Sequence, residues 1–250
     1  MPILHPRHGL RFRAGRAWGS LPALFLCAVA ACDSTSEPSR QVASLEVVTG
    51  VAFAPRMGEP LADDIVVRTV DASGQPVGGI EVTATPSDGG SVTGPRIAGR
   101  TSVTDDAGNA SFAWTLAPVY GEQTLTLSTR GVDDVILRAN AGLPLNAVVT
   151  VTLDQPSIQV GGTTLARATI RTAAGDVIDY PHDLSWLSSD PAIVTMSPST
   201  STDGRSARGR GPITVVATGS GQARITASVD IATSPGSVIS RIGSADVSVP

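Results

Sequence analysis

The residues closest to a catalytic set are His182, Asp183 and Ser185, which have the types found in a serine-hydrolase triad. They fall in a stretch that we expect to be a strand, where adjacent side chains point to opposite faces. The sequence has no nucleophile-elbow motif around any serine. It also has no metal-site pair of histidines or cysteines and no phosphate-binding loop. We therefore predict that the chain is not an enzyme and has no catalytic or metal-ligating residue.

Three pairs of adjacent acids could supply oxygen ligands to calcium at the ends of domains. None of the pairs has the spacing of a known calcium loop, and aspartate is common in turns because its carboxylate accepts hydrogen bonds from the local backbone. We favour turn chemistry, keep calcium as the alternative, and predict no other cofactor. The pairs are Asp63-Asp64, Asp105-Asp106 and Asp133-Asp134.

Five residues are candidates for contact with a ligand. Tyr120 and Tyr180 lie in predicted loops and are the plausible rings for stacking on a sugar. Arg205, Arg208 and Arg210 lie in a Gly/Ser-rich segment and could contact a polyanion, such as a lipopolysaccharide phosphate or an acidic glycan. The alternative for the arginines is a solvated surface loop.

Cys32 is the residue with the clearest chemical role. Four arginines precede an apolar run of about 14 residues, which is shorter than the ~20 that span a bilayer. That run ends in Val29-Ala30-Ala31-Cys32, which resembles the lipobox of bacterial lipoproteins. The resemblance implies that residues 1–31 are a signal peptide and that Cys32 becomes the lipid-bearing first residue. The alternative is a secreted protein with a free terminal thiol.

The composition limits the partners of the mature chain. All bases are arginine, and four of the 18 precede Cys32, whereas all 22 acids follow it. Processing would leave 14 arginines against 22 acids, a formal net charge of −8, which argues against a nucleic-acid partner. Cys27 leaves with the signal, so no disulfide can form. Residues 32–42 are polar and aperiodic, as expected of a flexible tether.

Beyond the tether, apolar and polar residues alternate with period two, which indicates strands with one buried face. Glycine-, proline- and aspartate-rich turns separate the runs, and this pattern is typical of β-sandwiches. We expect Trp114 and Trp186 to pack in the cores. The clearest alternating runs are 80–84, 110–116, 124–128 and 223–231.

The break at Leu143-Pro144-Leu145-Asn146 divides this region into predicted domains at 43–142 and 147–250. A weak internal echo supports two modules, because Asp71-Ala72-Ser73-Gly74-Gln75 and Thr172-Ala173-Ala174-Gly175-Asp176 both follow a strand rich in β-branched residues. The short linker suggests a semi-rigid rod.

Both halves resemble bacterial Ig-like domains. The run from Val67 to Val77 and the later TDDAGNASF segment resemble the invasin/intimin type, group 1, over about residues 44–141. The glycine turn Gln159-Val160-Gly161-Gly162 and the run from Leu184 to Val194 resemble group 2, over about 147–249. The polar insert from Ser197 to Gly211 is longer than the group 2 hairpin and leaves the strand pairing there open. These resemblances imply binding and spacing modules, without a transferable active site.

The sequence thus predicts an all-β protein with two tandem immunoglobulin-like β-sandwiches after a lipoprotein signal peptide and a tether. It predicts a lipid-anchored protein of the cell envelope, in either membrane, acting in adhesion, binding or spacing. Its expected partners are the membrane, through the lipid, and an envelope or cell-surface protein or glycan. Two alternatives remain: a glycan-binding module, which a groove lined with Tyr120 or Tyr180 would favour, and a scaffold subunit of an envelope enzyme or secretion complex.

Overall fold

The computed structural model describes residues 40–51, 54–94 and 97–250. The predicted signal peptide, Cys32 and most of the tether lie outside these residues. The described part of the chain forms 17 β-strands and no α-helix, which confirms the all-β prediction. Among these residues there is no helix with the length and apolar character needed to cross a membrane.

Nine strands form the first sandwich, and every pairing between them is antiparallel. Their bounds are β1 (Ser44–Val47), β2 (Ile65–Val70), β3 (Glu81–Pro86), β4 (Ser91–Thr93), β5 (Ile97–Ala98), β6 (Thr101–Val103), β7 (Asn109–Thr115), β8 (Gly121–Ser128) and β9 (Val135–Ala141). One sheet has the order β1-β2-β7-β4, and the other has the order β5-β6-β3-β8-β9.

Eight strands form the second sandwich, again with antiparallel pairing throughout. Their bounds are β10 (Val148–Leu153), β11 (Thr163–Arg171), β12 (Leu184–Ser188), β13 (Val194–Ser197), β14 (Ser206–Gly209), β15 (Ile213–Ala217), β16 (Gly221–Ser234) and β17 (Ser237–Val249). The two sheets have the orders β10-β11-β15-β13 and β14-β12-β16-β17.

The two sandwiches repeat one topology. In each, one sheet has the immunoglobulin order A-B-E-D and the other contains strands C, F and G. Each also has an extra strand between D and E that pairs with C, namely β6 in the first and β14 in the second. The pairing left open by the polar insert is therefore settled: the insert supplies β14, whose Ser206–Gly209 pairs with β12.

The segment after the first strand also repeats. Arg56 forms a parallel bridge to Gly142 at the end of β9, and Ser157 forms a parallel bridge to Ser248 near the end of β17. In both sandwiches the chain therefore leaves the A-B-E-D sheet and crosses to the edge of the last strand. This crossing places Arg56 beside the junction between the sandwiches.

The cores confirm the alternation read from the sequence. Trp114 and Trp186 are 1% and 2% exposed, and the alternating residues of β7, β8 and β16 point inward as predicted. Trp186 Nε1 donates to the carbonyl of Gly209 at 3.2 Å, which ties β12 to the end of β14. Most of the buried apolar side chains of both sandwiches belong to one hydrophobic cluster.

The predicted internal echo is a repeated turn. Residues 71–75 and 172–176 form the same two backbone hydrogen bonds. In each segment the N–H of the first residue donates to the carbonyl of the fifth, and the N–H of the fourth residue donates to the carbonyl of the first. In each, the first side chain accepts from the fifth N–H, at 3.0 Å for Asp71 and 3.2 Å for Thr172. A third copy at 105–109 has the same bonds, with 2.8 Å at Asp105. Glycine occupies the fourth position with positive φ in all three copies.

Candidate functional site

The junction between the two sandwiches is packed rather than open. Leu143 and Ala147, at either end of the predicted break, are both 4% exposed and belong to the shared core. Between them the carbonyl of Leu145 accepts hydrogen bonds from the guanidinium of Arg241 on β17. The linker is therefore held at both ends by apolar burial and in the middle by a charged donor.

A long hairpin of the second sandwich extends to this junction. Strand β12 pairs with β16 only from Ser188↔Ile225 to Ser185↔Ser228, whereas β16 continues to Ser234. In this extension Ile231 is 4% exposed, and the carbonyl of Ala232 accepts a hydrogen bond of 3.2 Å from Arg56 Nη2. The hairpin thus joins the parallel crossing segment of the first sandwich.

The buried side-chain amide of Gln123 holds the bend that places Tyr120 at the junction. Gln123, on β8, is 2% exposed. Its Oε1 accepts from the backbone N–H of Ala117 at 2.7 Å, and its Nε2 donates to the carbonyls of Ala117 and Val119 at 3.0 and 2.7 Å. These bonds fix the bend that precedes β8, and Tyr120 lies at the end of that bend.

The structure brings the two predicted tyrosines together. The rings of Tyr120 and Tyr180 meet edge to face with centroids 5.0 Å apart. His182 packs against both rings, at 5.7 Å from Tyr120 and 5.2 Å from Tyr180. Since Tyr120 belongs to the first sandwich and the other two belong to the second, this aromatic cluster spans the junction.

A cavity of about 390 Å³ lies beside the cluster. Its apolar wall includes Leu143 and Ile231, and its polar side chains include Asn140 and Asp230. Tyr120 and Tyr180 both line it, as do Arg56 and the ends of the crossing segment and the hairpin. A groove lined by Tyr120 or Tyr180 is the feature that would favour the glycan-binding alternative, and both tyrosines line this cavity.

Partial burial raises the pKa of both tyrosine hydroxyls. Desolvation raises the pKa of the Tyr120 hydroxyl above its ordinary value. Desolvation also raises the pKa of Tyr180, with further contributions from Tyr120 and the carboxylate of Asp230. Both hydroxyls are therefore neutral near pH 7 and can donate as well as accept hydrogen bonds.

A second cavity, of about 720 Å³, lies on the other side of Tyr180. It is lined by His182, Arg210 and Asp179, and by the part of β11 that extends past its pairing with β15. Tyr180 lines both cavities, so the tyrosine cluster stands between them.

The three predicted arginines do not form one patch. Arg210 lines the second cavity, whereas Arg208 is exposed on β14. Arg205 Nε donates to the carbonyl of Ser188 at 3.3 Å, and its backbone N–H donates to Asp203. Sequence reasoning identified their loop but could not place them, because the strand pairing of the insert was open.

Two of the acid pairs accept hydrogen bonds, one from its own turn and one from a distant strand. Asp105 Oδ1 accepts from the backbone N–H groups of Ala107 and Asn109, and Asp64 Oδ2 accepts from Ser111 Oγ at 2.7 Å. These bonds support the turn interpretation for Asp105. Within the described ranges, no group of three or more His, Cys, Asp or Glu side chains is placed to hold a metal ion.

Sequence reasoning missed three side chains of the junction cavity: Arg56, Asn140 and Asp230. Each lies on a segment whose own pattern reads as ordinary strand or loop. Their shared location depends on how the two sandwiches meet, and no local motif carries that information.

No family model matches the sequence. No curated protein matches it either. Among solved structures, the chain is similar to the Escherichia coli adhesin FdeC, with 17% identity, a TM-score of 0.47, and coverage of 85% of this chain and 65% of that one. It is also similar to a C-terminal fragment of intimin in complex with the intimin-binding domain of the translocated intimin receptor (15% identity, TM-score 0.37, coverage 84% and 64%). A third is InvD of Yersinia pseudotuberculosis (18% identity, TM-score 0.41, coverage 82% and 58%).

The chain spans less than two thirds of the length of each of these three proteins. Since all three TM-scores lie below 0.5, it is the strand order and register of the chain itself that establish its immunoglobulin-like fold.

Proposed function

We propose that the chain is a lipid-anchored protein of the bacterial cell envelope whose sandwiches act without catalysis, in adhesion, binding or spacing at the cell surface. The observation that carries the proposal is the packed junction. Leu143 and Ala147 share the core of both sandwiches, and Arg56 and Arg241 bond across the junction to backbone carbonyls. A pair of modules held in this way is suited to holding a surface at a fixed distance and orientation from its anchor.

In this proposal the anchor and the tether set the distance of the two sandwiches from the membrane. Acyl chains on Cys32 would supply about 0.8 kcal/mol for each buried methylene, and two or more chains are needed for stable anchoring. The polar residues that follow could extend over about 35 Å. The sandwiches would then stand away from the lipid surface, where their loops and outer strands can meet a partner.

The contact surfaces in this proposal are the loops and the edge strands. A sheet edge has unpaired backbone groups that can accept a further strand. Strand β14 is one such edge and carries exposed Arg208, although the N–H and the carbonyl of Ser206 on it already bond to residues 199–201. Loops positioned by a rigid scaffold are likewise common sites of recognition.

The proposal is tested in cells that lack the gene and are complemented with the wild type or with Cys32→Ala. We expect the wild type to restore retention at the membrane and adhesion or surface assembly. Cys32→Ala should be released and should fail to restore them. The proposal fails if deletion leaves adhesion and surface assembly unchanged and the purified mature protein binds no envelope or cell component.

A further inference from the structure

We propose that the junction cavity beside Tyr120 and Tyr180 is a binding site for a neutral pyranose unit of a glycan. In this assignment Tyr180 supplies a ring for the apolar face of the sugar. Asn140 donates and accepts hydrogen bonds at its hydroxyl groups, and the carboxylate of Asp230 accepts them. The site goes beyond the proposed surface role, and it does not depend on the lipid anchor.

The size and position of the cavity suit a small ligand. Its volume of about 390 Å³ lies within the ~300–1,000 Å³ of small-molecule sites, which also favour the boundaries between domains. The wall combines aliphatic side chains with a few polar groups. A pyranose has the matching character, with a C–H face and a rim of hydroxyl groups.

The polar side chains of the cavity can form further hydrogen bonds. Tyr120 and Tyr180 are partly buried, and the hydroxyl of each can donate and accept hydrogen bonds at a ligand. Asp230 Oδ1 accepts from Ser240 Oγ at 2.5 Å, and this leaves the second carboxylate oxygen to accept. The exposed amide of Asn140 can both donate and accept.

The charges of the cavity favour a neutral ligand over an anion. Its charged side chains are one arginine, Arg56, and one aspartate, Asp230. Arg56 Nη2 donates to the carbonyl of Ala232, and its buried Nε has no partner among the described residues. The two charges cancel formally, so the cavity has no net positive charge that would attract a carboxylate or a phosphate.

The neighbouring cavity gives the glycan a direction in which to continue. Tyr180 lines both cavities, and the second has a volume of about 720 Å³ with His182 and Arg210 in its wall. An oligosaccharide with one unit in the junction cavity could pass Tyr180 and rest against these side chains.

The test uses the full-length protein in a detergent without a sugar headgroup. It is screened on an array of neutral hexose oligosaccharides, and the best binder is titrated by calorimetry, with trigalacturonate as the anionic comparator. We expect the neutral ligand to bind at least tenfold more tightly than trigalacturonate. Polysaccharide from the producing cells and neutral glycans of other origin, used as separate competitors, would distinguish an envelope source from an external one.

Variants locate the binding. Tyr180→Ala, Asn140→Ala and Asp230→Asn should each weaken the binding of the neutral ligand about tenfold or more. Gln222→Ala, at an exposed position near the start of β16 that lines neither cavity, should leave the binding unchanged. Asn140 is exposed on β9, so its truncation keeps the assignment testable if Tyr180→Ala unfolds. The assignment is overturned if no neutral glycan binds, if trigalacturonate binds more tightly, or if Asn140→Ala and Asp230→Asn bind as well as the wild type.

Discussion

At the scale of single residues, buried polar side chains hold the turns and bends of this molecule. Thr69 is fully buried and donates to the carbonyl of Val77 at 2.6 Å. Ser188 is fully buried and donates to the carbonyl of Val194 at 2.9 Å. Gln123 does the same for the bend before Tyr120. Each of these side chains takes the place of water as the hydrogen-bonding partner of backbone groups that no strand pairs.

Gln123 offers a direct test of this role. Gln123→Met keeps the side-chain volume but removes the partner of the Ala117 N–H and of the Val119 carbonyl, whereas the Ala117 carbonyl keeps its bond from the N–H of Gly58. The substitution should therefore lower the free energy of unfolding by roughly 2 kcal/mol. Gln222→Met places the same change on an exposed strand position and should cost under about 0.5 kcal/mol. Urea unfolding of both variants measures the difference. Equal small losses would contradict the role given to the buried amide.

The glycines of the repeated turn differ in their surroundings. Gly74 has φ +77° with no atom within 4 Å of an added Cβ, whereas a Cβ at Gly108 would lie 2.7 Å from the carbonyl oxygen of Thr69. Gly74→Ala should cost about 1–2 kcal/mol for the left-handed backbone. Gly108→Ala should cost a further ~1–3 kcal/mol for the clash. Thermal unfolding of the two variants checks this order. Equal losses, or a larger loss at Gly74, would contradict the close approach of the backbone at Gly108.

The carboxylate of Asp71 gives the first turn a pH dependence. The hydroxyl of Ser73, followed by the backbone N–H of Gln75, lowers the pKa of Asp71 below its ordinary value of 3.8. A lowered pKa stabilises the fold above the unfolded value, and that contribution is lost as the pH falls through the folded pKa. The stability difference between the wild type and Asp71→Asn should therefore shrink on acidification in urea titrations. A difference independent of pH would contradict this assignment.

At the scale of elements, the hairpin of β16 and β17 connects the two modules. Its strands of 14 and 13 residues pair almost throughout, with a register shift between Ala232 and Ser234. The inner part belongs to the second sandwich, and the outer part contacts the first through Ala232. One element thus contributes to two packing units.

Truncation of the hairpin's buried side chain tests this connection. Ile231→Ala should lower the free energy of unfolding by about 2–5 kcal/mol, because it leaves a cavity in the shared core. Ile242→Ala, on the paired strand, removes a side chain that is 63% exposed and should cost well under 1 kcal/mol. Chemical denaturation compares them. Similar small losses would mean that the outer hairpin does not pack against the first sandwich.

The sequence predicted those elements that have a strong local pattern. Alternation identified β7, β8 and β16, because one face of each is buried, and the turn echo marked equivalent places in the two modules. The edge strand β14 escaped prediction because its Ser206–Gly209 segment contains a single buried residue, Ala207. The segment at Arg56, which crosses to the edge of β9, has no alternation of apolar and polar residues from which it could be predicted. Tyr120 and Tyr180 are 60 residues apart in sequence, and their meeting depends on the packing between the two modules, which no local pattern reveals.

At the scale of the whole molecule, two copies of one topology share a continuous core, and a predicted lipid holds them to a membrane. The fold is established by the strand order, whereas the anchor at Cys32 is a prediction that the surface role requires. Without it, the same sandwiches would act as a secreted binding protein, and the search for partners would move to extracellular glycans and matrix.

The measurement that tests this account most directly is the intact mass and detergent-phase partitioning of the protein from its native membrane, beside the Cys32→Ala form. We expect a wild-type chain that begins at Cys32, carries added acyl mass and enters the detergent phase, and a Cys32→Ala form that does neither. A wild-type product without acyl mass that stays in the aqueous phase would contradict the central claim.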